Sequence, residues 1–261
     1  MHGNLINVHS YLAGHWLPSS KSGSQHARPI HCAVTGRQVA TAGRDNVDVK
    51  SIHDHANSVG GPARREMTFH DRARCLKSLA SYLNERKEGL YELSSMAGST
   101  RSDAWVDIDG GIGTLFAYAS KGRRELPDST VYLDGPVEQL SRQGSFVGQH
   151  IASSKQGVAL HINAFNFPVW GMLEKLATSL LAGVPAIVKP ATDTCYITEA
   201  CFRMMIESGV FPEGTYQLIA GSIGGLMDEL GAQDTVSFTG SADTALKLRS
   251  NPHLLQQGVQ F

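Results

Sequence analysis

The stretch Gly157-Val158-Ala159-Leu160-His161-Ile162-Asn163-Ala164-Phe165-Asn166-Phe167-Pro168 decides the fold. Val158 to Ile162 is a short apolar run closed by Asn and Pro, which reads as a buried strand ending in a turn. Trp170 to Ala182 follows, with Leu173, Leu176, Ala177 and Leu180 spaced by three and four, one apolar helix face. Ala186-Ile187-Val188 is a second strand, and Ile197 to Ser208 a helix closed by Gly209 as a left-handed cap. Tyr216 to Ala220 is a third strand, Leu226 to Leu230 a short helix, and Thr235 to Phe238 a fourth strand. Ser241 to Arg249 is helical, and Gly258 to Phe261 opens another strand. Strands and helices alternate through short connections. That pattern predicts an α/β fold with a parallel sheet covered on both faces, and such sheets hold ligands at the carboxyl ends of their strands.

Upstream, Phe146 to Ser153 is extended and separated from Val158 to Ile162 by Ser154-Lys155-Gln156-Gly157. This reads as a hairpin feeding a buried strand. With Pro127, Gly135, Pro136 and Gly144 punctuating the preceding stretch, residues 129–156 are expected to protrude and to meet another subunit. Residues 11–45 read as short strands and turns, with turn glycines in Tyr11-Leu12-Ala13-Gly14 and Thr35-Gly36. Helical signals begin near Asn46. Thr68 and Asp71 make a capping box before the apolar face of Phe69, Ala73, Leu76, Leu79, Ala80 and Leu83. Leu90, Leu93 and Met96 continue a second helix up to Gly98, and a third runs from Ser102 to Gly122. Gly110, Gly111 and Gly113 inside that helix each cost roughly 0.5–1 kcal/mol against Ala, so a close approach by a neighbouring helix or strand is expected there, ahead of a ligand contact. Three regions result: 1–128, mainly helical; the 129–156 hairpin; and the alternating 157–261 part.

The 261 residues carry 23 Lys+Arg against 24 Asp+Glu, a net charge of -1 that leaves no basic footprint for nucleic acid. No apolar run approaches the roughly 18 residues of a membrane span, and Met1 to Trp16 lacks a secretory pattern. The cytosol is the default compartment. Cys32, Cys75, Cys195 and Cys201 are scattered without a Cys-x-x-Cys pair. The histidines form no metal spacing, and His53 and His55 beside Asp54 are expected on a solvated helix face.

Three strand ends are chemically loaded. After the first strand, Asn166 and its neighbouring N–H groups can donate to a developing oxyanion, or the Asn can fold back into an Asx-turn before Pro168. After the second comes Lys189-Pro190-Ala191-Thr192, where the Lys either meets a ribose or phosphate or simply ends a strand at the surface. After the fourth comes Phe238-Thr239-Gly240-Ser241, whose following helix offers unpaired N–H donors at its positive end or carries a plain Ser cap. A related loop is Ala220-Gly221-Ser222-Ile223-Gly224-Gly225. There is no Gly-x-Gly-x-x-Gly fingerprint.

The order of these pieces, with Gly209-Val210-Phe211-Pro212-Glu213-Gly214 between them, closely resembles the cofactor-binding half of the aldehyde dehydrogenase superfamily. The resemblance spans essentially the whole chain and is strongest from 157 to 245. Asn-Ala-Phe-Asn-Phe-Pro, with Trp105 to Leu115 upstream, resembles in particular the PaaZ (PaaN) family of phenylacetate degradation. There an aldehyde dehydrogenase is fused to a MaoC-like enoyl-CoA hydratase. The resemblance implies a Rossmann-type parallel sheet with flanking helices and a protruding hairpin. It also implies a homo-oligomer and a CoA-linked semialdehyde substrate, with the dehydroadipyl-CoA semialdehyde of benzoate breakdown as the near alternative. Residue by residue, Asn166 matches the Asn that steadies the oxyanion, Lys189 the Lys on the adenosine ribose, and Thr239, Gly240 and Ser241 the loop over the pyrophosphate. Phe165, Thr192, Gly221, Gly224 and Phe238 fall in the matching cofactor segments.

Two departures carry weight. Thr192 stands where the family often has Glu; without a carboxylate to repel a 2′-phosphate, NADP is expected as cofactor, with NAD accepted. Ala245 replaces the second glycine of the usual Gly-x-x-x-x-Gly. The family nucleophile, a Cys after Gly-Gln, has no counterpart here, nor does its general-base Glu, so the chain is expected to be a fragment that is inactive alone. A stand-alone nucleotide-binding module and an assembly protein that lost the site are the competing readings; nucleotide titration separates the last from the others.

Overall fold

The computed structural model describes residues 5–20, 25–43 and 47–261. Five short strands come first: β1 (Ile6–Asn7), β2 (Ser10–Leu12), β3 (His15–Leu17), β4 (Arg28–His31) and β5 (Gln38–Ala42). Helix α1 (Val49–His55) starts at an Asp48 cap; Asn46, the expected start of helical signal, lies outside the described residues. It runs through a π-helical turn into α2 (Gly61–Glu66). Then come α3 (Phe69–Arg86), α4 (Glu88–Met96) and α5 (Arg101–Glu125). The Thr68–Asp71 capping box forms as read, and Thr100 with Asp103 makes a second one at the start of α5.

The remaining elements are β6 (Val131–Gln139), β7 (Val147–Ser153), β8 (Ala159–Ile162), α6 (Trp170–Leu181), β9 (Ala186–Lys189), α7 (Cys195–Glu207), β10 (Tyr216–Leu218), β11 (Thr235–Phe238), α8 (Ala242–Arg249) and α9 (Pro252–Gln257). The main sheet has the order β11-β8-β9-β10-β2-β3. Its four β8–β11 strands are parallel, as the sequence implies. The N-terminal hairpin β2–β3 adds two antiparallel strands beside β10, which the sequence does not announce. Gly258 to Phe261 contributes only one bridge, Thr235 to Gln260, rather than a full strand.

Each strand divides its side chains between two apolar clusters, as a period of two requires. Leu160, Ile162 and Ile187 join Ile52, Leu226 and Leu254 on one face. Ala159, Val188 and Leu218 join the α3, α5, α6 and α7 residues on the other. The extended run ending at Ser153 does not pair with β8. Its partner is β6, with Leu133 opposite Ile151, because β8 is taken into the main sheet between β9 and β11. β6 and β7 form a separate two-stranded sheet.

The α5 glycines divide in role. A Cβ on Gly110 would lie 2.6 Å from the Trp170 ring, and one on Gly111 2.9 Å from the Trp170 Cα. α5 is therefore notched to receive the first turn of α6. Gly113 has no such neighbour; a Cβ there would meet nothing within 4 Å.

Candidate functional site

The parallel strands run in the order β11-β8-β9-β10, so the chain moves outward from β8 to β10 and then returns to the other side of β8 for β11. The reversal lies between β8 and β11, where an open α/β sheet leaves a crevice. Register aligns the strand ends in one row. Phe238 faces Ile162, and Ile162 faces Lys189. Thr239 N–H donates to the Ile162 carbonyl (2.9 Å) and Asn163 N–H to the Lys189 carbonyl (3.0 Å). With neighbouring strands about 4.8 Å apart, the three loaded loops leave the sheet side by side.

Asn166 and Thr239 line one cavity of about 280 Å³ together with Phe167, Trp170 and Glu174. A second cavity of about 380 Å³ lies on the other side of the same loop, between Phe165, Asn166, Asp107 and the 97–99 turn. The Asn166 side chain is exposed and makes no Asx-turn bond among the described residues. Its surroundings are pinned instead. Thr194 Oγ1 donates to the Phe165 carbonyl (3.0 Å) and Thr198 Oγ1 to the Pro168 carbonyl (3.1 Å). The Asp107 carboxylate, buried in α5, accepts Trp170 N–H at 2.7 Å and Val169 N–H at 3.1 Å. That arrangement caps the N-terminus of α6 and fixes the loop that carries a free amide. Burial pushes the Asp107 carboxyl up to about 6, against the pull of the two N–H donors.

Lys189 is half-buried at the end of β9, and burial pulls its pKa down, with the charge of Arg28 acting in the same direction. Thr192, Gly221 and Ser222 line a cavity of about 280 Å³ with it, joined by Gln25, His26, Arg28 and Gly43 from the N-terminal segment. Gly224 lies outside this cavity, near Val49, at a φ of +53°. Ser241 caps α8 and accepts Thr244 N–H (3.3 Å), so the plain cap is present; of the turn's N–H groups, that of Thr239 is taken by the Ile162 carbonyl, while those of Gly240 and Ser241 make no hydrogen bond among the described residues. The Phe238 ring packs under Gly240, where any Cβ would collide with it. Ala245 lies on α8, which has no buried residue.

None of the four cysteines lines either cavity at Asn166. Cys195 and Cys201 are fully buried; burial pushes the Cys195 thiol up to about 12 and raises that of Cys201 as well. Both pack in the core. His53 corrects the expectation of a solvated helix face. It turns inward from α1, its Nε2 2.9 Å from the Asp234 carboxylate, a bond that raises its pKa. Asp234 accepts the Val158 and Gly231 N–H groups at the same time, which draws the His away from solvent. Asp107, Thr194, Thr198 and Arg28 are the site residues that sequence reasoning missed. Only Asp107 left a sign: a carboxylate on the face of α5 that also carries Ala104, Ile108, Gly111 and Leu115 must have a partner.

Comparison with known proteins assigns this architecture. The aldehyde dehydrogenase family matches residues 16–258, and the chain belongs to that family. A curated relative, the 3,4-dehydroadipyl-CoA semialdehyde dehydrogenase of Aromatoleum evansii, is 35% identical over 257 residues, 98% of this chain and 49% of that protein. The chain thus spans about half the length of the curated relatives it matches. Among solved structures, Staphylococcus aureus betaine aldehyde dehydrogenase in complex with NAD+ superposes with a TM-score of 0.76 at 22% identity, covering 98% of this chain and 49% of that one. The NADP complex of Bacillus halodurans NADP-dependent glyceraldehyde-3-phosphate dehydrogenase gives 0.78 at 21% identity, covering 94% and 50%. These two likenesses establish the fold. Among the described residues, no helix is long and apolar enough to cross a membrane.

Proposed function

We propose that this chain is the cofactor-binding half of an NADP-dependent aldehyde dehydrogenase that oxidises a CoA-linked semialdehyde in aromatic catabolism. The observation that carries the reading is the crevice between β8 and β11, which places Asn166 and Thr239 on one cavity with Lys189 one strand away. The residues present fit a dinucleotide. Lys189 reaches a polar cavity with no carboxylate among its described lining residues, and Gly240 and Ser241 offer N–H donors at the positive end of α8. When bound, the nicotinamide accepts the hydride of the reaction.

Asn166 would donate its amide N–H to the oxyanion of the substrate adduct. The Thr194, Thr198 and Asp107 bonds hold its loop before the reaction begins, so little reorganisation is left for the reacting state. The attacking thiolate comes from outside this chain. A thiol raised to about 12 and sealed in the core, as at Cys195, is no nucleophile at neutral pH. The CoA-linked class of aldehyde is supported by the Aromatoleum evansii relative, whose name places it with a dehydroadipyl-CoA semialdehyde.

Titration of the 261-residue chain with NADP and NAD tests the reading, with the expected order NADP tighter than NAD. Thr192→Glu should weaken NADP far more than NAD, by like-charge repulsion of the 2′-phosphate. Equal weakening of both, or a wild-type preference for NAD, would remove the NADP assignment. In a protein containing both halves, Asn166→Ala should lower kcat about 10²–10³-fold with cofactor affinity kept; unchanged turnover would remove Asn166 from the oxyanion role.

A further inference from the structure

The cavity at Lys189 is closed from the N-terminal side by residues that the strand-helix core does not supply. Gly43 N–H donates to the Ala220 carbonyl (3.0 Å), which ties the end of β5 to the end of β10. β4 pairs with β5, Arg28 opposite Ala42, and packs against the 192–194 turn. This chain of contacts delivers Arg28 to the rim of the cavity that Lys189 and Thr192 line. Gly43 suits the crossing: its φ is +104°, and a Cβ there would collide with the His26 carbonyl.

The charges at this rim are one-sided. Arg28 and Lys189 face the same space, and no Asp or Glu stands among the described residues lining it. Arg28 is exposed and makes no ion pair among the described residues. The nearest carboxylate in sequence, Asp193, is exposed and outside the lining. Its charge raises the pKa of Lys189, while that of Arg28 lowers it. Two cations held together without an anion cost free energy unless a ligand supplies the opposite charge. A planar guanidinium beside an ammonium, with the Ser222 and Thr192 hydroxyls on the same wall, suits a phosphate monoester.

We propose that Arg28, carried by β4, is the second cation of a phosphomonoester pocket with Lys189 and determines preference for the 2′-phosphorylated dinucleotide. The inference rests on the dinucleotide reading above and adds a residue from outside the parallel core. Thr192 only omits a repulsion. Arg28 supplies an attraction, so the preference has two separable parts.

The test is calorimetric titration of the 261-residue chain and its Arg28→Gln and Arg28→Lys variants with NADP, NAD, 2′,5′-ADP and 5′-AMP, at low and at high salt. The exposed position of Arg28 leaves the fold intact, which circular dichroism of each variant checks. Arg28→Gln should weaken NADP and 2′,5′-ADP by about tenfold, as expected for loss of one charge-assisted bond, and leave NAD and 5′-AMP within about twofold. Arg28→Lys should recover part of the loss, and added salt should narrow the gap between wild type and Arg28→Gln. Equal effects on phosphorylated and unphosphorylated ligands, or none on either, would overturn the inference while leaving dinucleotide binding in place. A wild-type chain that binds none of the four ligands would overturn the dinucleotide reading, and this inference with it.

Discussion

At the scale of single residues, Asp107 shows how a fold-bearing group can also set a site. Its carboxylate caps α6 and fixes the residues just after Asn166, yet burial raises its pKa from the ordinary carboxylate value to about 6. The folded chain therefore binds this proton more tightly than the unfolded chain does. Between about pH 4 and pH 6 the native state carries more of it, so this group's contribution to stability falls as pH rises through that window. The full shift corresponds to roughly 3 kcal/mol at about 1.4 kcal/mol per unit. Asp107→Asn keeps an acceptor oxygen and loses the titration. Urea unfolding at pH 4.5, 5.5 and 7 should find the variant gaining on the wild type as pH rises. A constant difference would mean that Asp107 does not titrate there. The buried arginines show the same economy. Arg64 and Arg72 donate to the carbonyls of Leu180 and Leu181, the last residues of α6, where the helix dipole favours positive charge. Burial lowers the pKa of both to about 10.

Among the elements, those with a long apolar period were legible before the structure. α3 and α6 bury the faces the spacing marks, and β8, β9 and β11 are the short apolar runs between them. What stayed hidden was partnership. β2 is a three-residue strand whose place beside β10 depends on a contact across the whole chain, and local pattern carries no information about that. β7 was legible as a strand inside the 129–156 hairpin, where its partner β6 also lies; only the further pairing with β8 was misread, because the turn residues before β8 mimic a hairpin. The glycines of α5 were legible as a cost and not as a set of roles. Those roles can be separated by substitution. Gly113→Ala adds a methyl in open space and should stabilise the chain by roughly 0.5–1 kcal/mol through helix propensity. Gly111→Ala pushes a methyl to 2.9 Å from the Trp170 backbone and 3.3 Å from Leu173, and should destabilise by roughly 1–3 kcal/mol. Paired urea midpoints decide it; a loss of stability in Gly113→Ala would show that the packing around α5 is not as described.

For the whole molecule, the question is which surfaces are finished. The α3–α5–α6–α7 side is a continuous core, while the β6–β7 ribbon stands apart from the main sheet with its apolar side chains bare. Leu133 is 55% exposed and Ile151, directly across from it, 61%. Val147 lies two pleats from Ile151 on the same face, and Val137 stands one pleat before Gln139, which is opposite Val147. Val137 and Val147 are also more than half exposed. An isolated two-stranded ribbon is marginal in water, and an apolar face of this kind marks an association surface. The expected occupant is a second copy of this protein, since a protruding hairpin with its own apolar face gains most by being covered symmetrically. Sedimentation equilibrium of the 261-residue chain should show self-association that strengthens with added salt, as apolar contact does and ionic contact does not. The double variant Leu133→Ser/Ile151→Ser should shift the chain toward monomer with its far-UV circular dichroism unchanged, because neither side chain belongs to a core cluster. If the wild-type chain stayed monomeric at every concentration, or the double variant associated as strongly as the wild type, the hairpin would not be the contact surface and the exposed face would need another partner.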